Sequence, residues 1–389
     1  MNYNRPVKND SAVTIRVMCA LVFVVFTLLW LHFFQADLLS VTQHLLSGGQ
    51  TSYSRLTGSL LITIVLMLLQ AGVYCLLPLR RFAHALTYFP SLLALAVLTS
   101  GAEQPDCHFG IARWAWLAPL LTVVWGVAVW VARSVESYVG QQSAGLFSRS
   151  MWVNMLTMGL MMTGVALTAN TDAVFHFRAR AEQALARRDY DEALRVGNES
   201  LETDASLTMV RMYALARKGQ LGDRLFHYPV YPSSQAILPS ATLSRMLIYP
   251  ADSVFRFLGA VPRRPMQPME YLQAIMRSGQ AKAPAADYLL CSYLIDKDLD
   301  RFASTVGRYY TLGDSLPRHY REALVLYNHR RSHPVVVYHD PVLDVDYEDL
   351  QKLEAGYQLD TERRGNVLEH YGNSYWYYYE YVKPLNTNH

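Results

Sequence analysis

Five stretches within the first 170 residues are long, apolar and almost free of charge: 17–34, 60–79, 82–100, 114–132 and 151–169. After Asn170-Thr171-Asp172 the pattern changes, and apolar positions recur at helical spacing between charged ones. A bilayer core offers a backbone amide no hydrogen-bond partner, so about 20 apolar residues satisfy their own N–H and C=O groups by forming a spanning helix. The pattern predicts an all-α protein in two parts. Residues 1–170 form a transmembrane bundle of about five spans, and residues 171–389 form a water-soluble helical domain.

In the first run only Thr27 and His32 interrupt the apolar sequence. It is too long for a secretory signal, and Phe33-Phe34-Gln35-Ala36 is no small-residue cleavage site. The 82–100 run is the least regular. It carries His84 and Pro90 and follows the previous span after only Arg80-Arg81, so the expectation is a spanning helix kinked near Pro90, with a re-entrant or interfacial segment as the alternative. Tryptophans near the ends of the fourth run suit the membrane interface. Basic residues then orient the bundle. Arg5, Lys8, Arg16, Arg80, Arg81, Arg133 and Arg149 fall on one side of five spans, and Arg55 and Arg113 on the other. By the positive-inside rule the N-terminus is cytoplasmic and residues 171–389 lie outside the cytoplasm. Gln70 and Asn154 are polar at membrane depth, but no Asp, Glu, Lys or Arg lies mid-span, which argues against a pump or channel. Gly159, Thr163 and Gly164 are small enough for close helix packing inside the bundle.

In the second part, Val174, Phe177, Ala181, Ala184 and Leu185 share one helical face. A turn at Arg187-Arg188-Asp189 leads to a second face of Tyr190, Ala193, Leu194, Gly197 and Leu201. The run Asp189-Tyr190-Asp191-Glu192-Ala193-Leu194, with Phe177 and Ala181 before it, resembles the centre of a tetratricopeptide repeat (TPR) over about 30 residues. The resemblance implies antiparallel helices locked by an aromatic and a small residue. It departs from the family where Gly197, Ser200 and Ala205 stand in the usual aromatic, Ala and Pro positions. A second unit is expected at Leu207–Arg217, closed by Lys218-Gly219, and a third from Pro284 through the turn Asp298-Leu299-Asp300. Tyr320, Ala323, Leu324 and Tyr327 mark a further helix ending before Pro334. Between the second and third units, residues 226–284 hold 8 of the 17 prolines and read as a packed irregular insertion with short helices near Ala251–Leu258 and Met269–Arg277. A short extended segment is expected at Val335–Tyr338, and helices capped by Asp346, Thr361 and Ser374 thereafter. The last of these, Tyr375-Trp376-Tyr377-Tyr378-Tyr379-Glu380-Tyr381, has aromatics all round and is expected to pack as a terminal cap, with contact at the bilayer interface as the alternative.

Charge changes the picture little. Of 35 Lys/Arg and 32 Asp/Glu, nine and five precede residue 171, leaving 26 and 27 in the soluble part, which is too balanced for a nucleic-acid surface. Cys19, Cys75, Cys107 and Cys291 form no CxxC or Cys/His metal spacing. No P-loop, dinucleotide fingerprint, nucleophile elbow or His-Glu-x-x-His occurs. Two polar clusters stand out. Glu103, Asp106, Cys107, His108 and Arg113 share a loop between spans, where an acid, a base and a cation could act on a lipid-linked substrate, but a solvated loop is the preferred reading. Asp340, Asp344, Asp346, Glu348 and Asp349 lie near His333 and His339 but lack the glycine turn of a calcium loop. Hence no catalytic, cofactor or metal residue is assigned.

The whole arrangement resembles bacterial inner-membrane proteins that join several spans to a TPR-like C-terminal domain. It implies a membrane-anchored helical-repeat scaffold of the cell envelope, integral to the bilayer, that binds a protein partner outside the cytoplasm and does no catalysis of its own. The alternative is an enzyme or accessory subunit of envelope glycan or lipid assembly that works through the outer loops. A reporter active only in the periplasm, fused after His389, is expected to be active; activity of a cytoplasm-only reporter at that position would contradict the orientation.

Overall fold

Helices make up the regular structure of the described residues of the computed structural model, which are 10–77, 79, 83–101, 111–136, 148–240 and 242–384. The chain divides into two units, Met1–Asp172 and Ala173–His389. The basic residues at 5, 8, 80 and 81, and the polar cluster at 103–108, lie outside the described residues.

The first unit contains α1 (Asp10–Leu29), extended by a π-helical turn at Trp30–Phe34, then α2 (Ala36–Leu46) and α3 (Arg55–Leu76). After a 3₁₀ turn at His84–Tyr88 come α4 (Phe89–Thr99), α5 (Ile111–Glu136) and α6 (Arg149–Thr168). Among the described residues, four segments are long and apolar enough to cross a membrane: Ala12–Phe34, Arg55–Leu76, Arg113–Val135 and Arg149–Thr168. They carry exposed Leu68, Trp130, Leu156 and Leu167, large apolar side chains that suit lipid rather than water. Cys19, Phe23, Leu31 and Met158 fill the interior.

The expected third span differs in form. Its helical part is His84–Thr99, a shorter apolar helix. Pro90 does not kink it but sits in the first turn of α4, where its missing N–H costs nothing. A 3₁₀ turn followed by 11 helical residues spans roughly 26 Å, a little less than the hydrocarbon core. The two polar residues at membrane depth explain how this irregular backbone is tolerated. Asn154 Oδ1 accepts the Ala85 N–H at 2.8 Å, and Gln70 Nε2 donates to Thr87 Oγ1 at 3.0 Å. Ser91 donates to the Leu66 carbonyl at 2.8 Å. These bonds stitch the 3₁₀ turn and α4 to α3 and α6, supplying partners that lipid could not.

The second unit begins with α7 (Ala173–Ala186), α8 (Tyr190–Arg195), α9 (Ala205–Arg217) and α10 (Leu221–Arg224). The proline-rich stretch contributes α11 (Ala251–Leu258) and α12 (Pro268–Arg277). Then follow α13 (Pro284–Ile295), α14 (Leu299–Val306), α15 (Arg318–Arg330), α16 (Pro341–Ala355), α17 (Asp360–Tyr371) and α18 (Tyr375–Tyr381).

Three helix pairs, α7–α8, α9–α10 and α13–α14, turn in the same way. Arg188, Gly219 and Lys297 adopt left-handed φ of 61°, 65° and 60°. The next N–H in each case reaches the carbonyl five residues back: Asp189 to Ala184 at 2.9 Å, Gln220 to Leu215 at 2.9 Å, and Asp298 to Tyr293 at 2.8 Å. This closure satisfies the last carbonyls of the first helix. In the first and third pairs the Asp then caps the second helix, accepting from Glu192 N and Arg301 N, each at 3.0 Å. Helix α8 is short because Gly197 is left-handed and lies against Phe177; a Cβ there would come within 2.7 Å of the ring.

Helix α15 is central, packing against α10, α14, α16 and α18. The aromatic segment is buried as expected: Tyr375, Trp376, Tyr377 and Tyr378 all belong to the core. Tyr375 and Tyr378 donate their hydroxyls to the Leu294 and Ile295 carbonyls at the end of α13, at 3.2 and 2.7 Å. In return Lys297 Nζ donates to the Tyr379 and Val382 carbonyls at the end of α18, both at 2.5 Å. The cap of α16 is a correction. Asp340, not Asp346, accepts the Val342 and Leu343 N–H groups, both at 3.1 Å, with Pro341 at the first helical position. Residues 335–338 are irregular, with no strand among the described residues.

Trp376, only 1% exposed, packs against Tyr347 and donates its indole N–H to the Glu322 carbonyl at 2.8 Å. Trp376→Ala is expected to destabilise the second unit by about 3–5 kcal/mol, read from chemical unfolding. An unchanged midpoint would show that α18 is peripheral.

Candidate functional site

Two places in the second unit gather chemistry-bearing side chains. One is buried. Glu322, fully buried on α15, accepts from Arg318 Nε at 2.8 Å, His319 Nδ1 at 2.9 Å and the Tyr375 N–H at 2.7 Å. The other nitrogen of His319, Nε2, accepts the Phe226 N–H at 3.3 Å, so the ring is the neutral Nδ1–H tautomer with both nitrogens occupied. His227 lies edge-on to His319 at 5.5 Å between ring centres. A His–Glu pair of this kind is a common catalytic element. Here it has no free lone pair and no solvent path, since His319 and Glu322 are 0% exposed. Burial pushes the Glu322 carboxyl up, but His319, Tyr375 N–H and Arg318 outweigh it and hold the group below the usual carboxylate range. Burial, with the Arg318 and Arg224 charges adding to it, lowers His227 to about 4.

Glu182 on α7 is likewise fully buried. One of its oxygens accepts three successive N–H groups, of Leu247, Ile248 and Tyr249, at 2.7, 2.7 and 3.1 Å. Burial pushes this carboxyl up, while those donors and Arg178 pull against it. Arg178 itself donates to the Arg245 carbonyl at 2.9 Å. The pair fastens the proline-rich segment to α7 and leaves nothing exposed for chemistry.

The other place is open to solvent. A cleft of about 440 Å³ is lined by cations, Arg188, Arg217, Arg256 and Lys282, and by aromatic rings, Tyr190, Tyr213, Tyr249 and Phe257. Ser253 and Pro284 complete the wall, and no carboxylate, histidine or cysteine lines it. Arg188 stands in the left-handed turn before α8, Arg217 on the last turn of α9, Arg256 on α11, and Lys282 just before α13. The guanidinium of Arg217 lies over Tyr190, Tyr213 and Phe257 at 5.3, 5.9 and 5.0 Å. Tyr213 and Tyr249 share a hydroxyl hydrogen bond of 3.0 Å, and Lys282 Nζ donates to the Arg256 carbonyl at 2.6 Å. The arrangement can hold an anion beside a ring. It offers no general base and no activated nucleophile.

The acidic run after His333 does not converge on a site. Asp340 is engaged as a helix cap and by Arg321 at 2.9 Å, Asp344 accepts the Asp340 N–H at 3.2 Å, and Asp349 pairs with Lys352 at 2.8 Å. Of the 103–113 cluster only Arg113 lies among the described residues. The basic cleft was missed from sequence because its residues are spread from 188 to 284 over four helices and the segments that connect them, with no local motif. The one available signal was a pair of arginines, Arg187-Arg188, at a tight helix turn.

Residues 263–382 match a protein family described as a family of unknown function (DUF6057). The matched region runs from just before α12 to just past α18, and so includes Glu322 and the aromatic segment but only Lys282 and Pro284 of the cleft. No curated protein and no solved structure matches the chain significantly.

With a folded pKa near 4 against an ordinary value of about 6.5, His227 stays neutral in the folded unit where the unfolded chain takes up a proton. Its contribution to stability is therefore present above pH ~6.5 and lost as pH falls toward 4. Glu322, with a lowered folded value, loses its contribution at still lower pH. The thermal midpoint is expected to fall on acidification across pH 7 to 4.5, and less steeply in His227→Gln. Identical slopes in the two proteins would contradict the assignment.

Proposed function

We propose that the protein is a membrane-anchored helical-repeat scaffold of the bacterial cell envelope, which holds a protein partner on its second unit outside the cytoplasm. The observation that carries the reading is the distribution of polar chemistry in that unit. Its buried Glu182, Glu322 and His319 are engaged in structural hydrogen bonds, and its open cleft has cations and rings but no general base. Such a surface binds and does not turn over. The shared closure of α7–α8, α9–α10 and α13–α14 supports a degenerate TPR-like arrangement, in which neighbouring hairpins bury faces that none could bury alone. In this reading His84–Thr99 completes a fifth crossing, which the positive-inside rule needs to put the second unit outside.

The test is retention of a partner by the full-length protein in mild detergent, compared with Arg217→Glu. The expected result is a stoichiometric partner held by the native protein and released by the variant. A purified protein that transforms a glycan or lipid-linked substrate by itself would overturn the scaffold reading.

A further inference from the structure

We propose that the basic cleft binds a phosphate-bearing ligand: a phosphate monoester or diphosphate attached to a ring. The inference rests on reading the second unit as a binding module and names the chemistry that its cleft selects.

Charge balance comes first. Among the described residues Arg188, Arg217 and Lys282 form no ion pair, and Arg256 has only Asp252 at 3.7 Å, with both partners largely exposed. Four cations thus share one cleft with almost no compensating charge. Their mutual repulsion is relieved by an anion of more than unit charge. A carboxylate brings one negative charge in a planar fork suited to a single guanidinium. A phosphate ester brings about −1.5 to −2 and presents oxygens in several directions.

Preorganisation comes second. The three rings around Arg217 fix the plane of its guanidinium, so less side-chain freedom is lost when its N–H edge meets an oxyanion. The left-handed turn that closes α7 fixes the backbone from which Arg188 projects. Lys282 uses one of its three donors on the Arg256 carbonyl and keeps two. Size comes third. At about 440 Å³ the cleft lies within the range of small-molecule sites, roughly 300–1,000 Å³, and exceeds the need of a bare phosphate. The half-buried rings of Tyr249 and Phe257 offer an apolar wall for the attached ring, and Ser253 offers a hydroxyl beside them.

The ester could be a soluble metabolite or a lipid headgroup, and the experiment separates them. Full-length protein in zwitterionic detergent is titrated calorimetrically with inorganic pyrophosphate, then challenged with ADP and with a dihexanoylphosphatidylinositol phosphate, whose headgroup is a ring-borne phosphate. Saturable pyrophosphate binding is expected, weakened about tenfold or more by Arg188→Gln/Lys282→Gln and unaffected by Arg301→Gln/Arg308→Gln, which lie outside the cleft. Phe257→Leu, which removes both a wall for the attached ring and one of the rings over Arg217, is expected to weaken ADP more than pyrophosphate. Displacement by ADP supports a soluble ring-bearing ester; displacement by the short-chain lipid phosphate alone supports a headgroup. Absence of saturable binding, equal loss in the control variant, displacement by neither compound, or tighter binding of hexaglutamate would overturn the inference. If pyrophosphate fails to bind while the partner is still retained, the phosphate site is refuted and the scaffold reading survives.

Discussion

A carboxylate withdrawn from water is tolerated only when donors replace the lost hydration. Glu322 meets that condition at the centre of the second unit, and much of the unit is arranged around doing so. Two donors, Arg318 and His319, come from its own helix turn. The third is the first N–H of α18, one of the amide groups that a helix start leaves without an internal partner. The negative charge also sits favourably at the positive end of that helix. The backbone carbonyl of the same residue takes the Trp376 indole, so one residue fastens both the start of α18 and its largest side chain. From there the order spreads: His319 anchors Phe226, and Tyr375 and Tyr378 close the end of α13.

The same rule governs the first unit in another solvent. Polar residues at membrane depth invite a reading as an ion path, yet Gln70 and Asn154 hydrogen-bond to the 3₁₀ turn before α4. In both units polar side chains withdrawn from water, Asn154 in the first and Glu182 and Glu322 in the second, serve backbone N–H groups that would otherwise lack partners. The open cleft is the exception. Its cations are not used up by the fold, which is why it carries the functional argument.

Much of this was legible in the sequence. Apolar runs located the long helices to within a few residues, and the turns at Arg188, Gly219 and Lys297 were marked by breaks in helical period. The aromatic segment announced its burial because seven consecutive positions could not expose five tyrosines and a tryptophan cheaply. The beginning of α16 was misread although Asp340-Pro341 is a good cap-and-start pair; the acidic residues after it drew the boundary to Asp346. The reduced length of the third apolar helix was not legible, because it depends on tertiary hydrogen bonds, Asn154 of α6 to the Ala85 N–H, Gln70 of α3 to the Thr87 hydroxyl, and Ser91 to the Leu66 carbonyl. The cleft was not legible either, since it forms only when the proline-rich segment is drawn against α7 by Glu182.

The claim that Glu322 closes the second unit is tested most directly by hydrogen exchange at the Tyr375 amide. In the native protein this N–H is expected to exchange only through global unfolding, at the same free energy as the core of α15. In Glu322→Gln it is expected to exchange through local opening of α18, while α7 and α9 keep their protection. Rapid exchange at Tyr375 in the native protein, or an unchanged rate in the variant, would contradict the account.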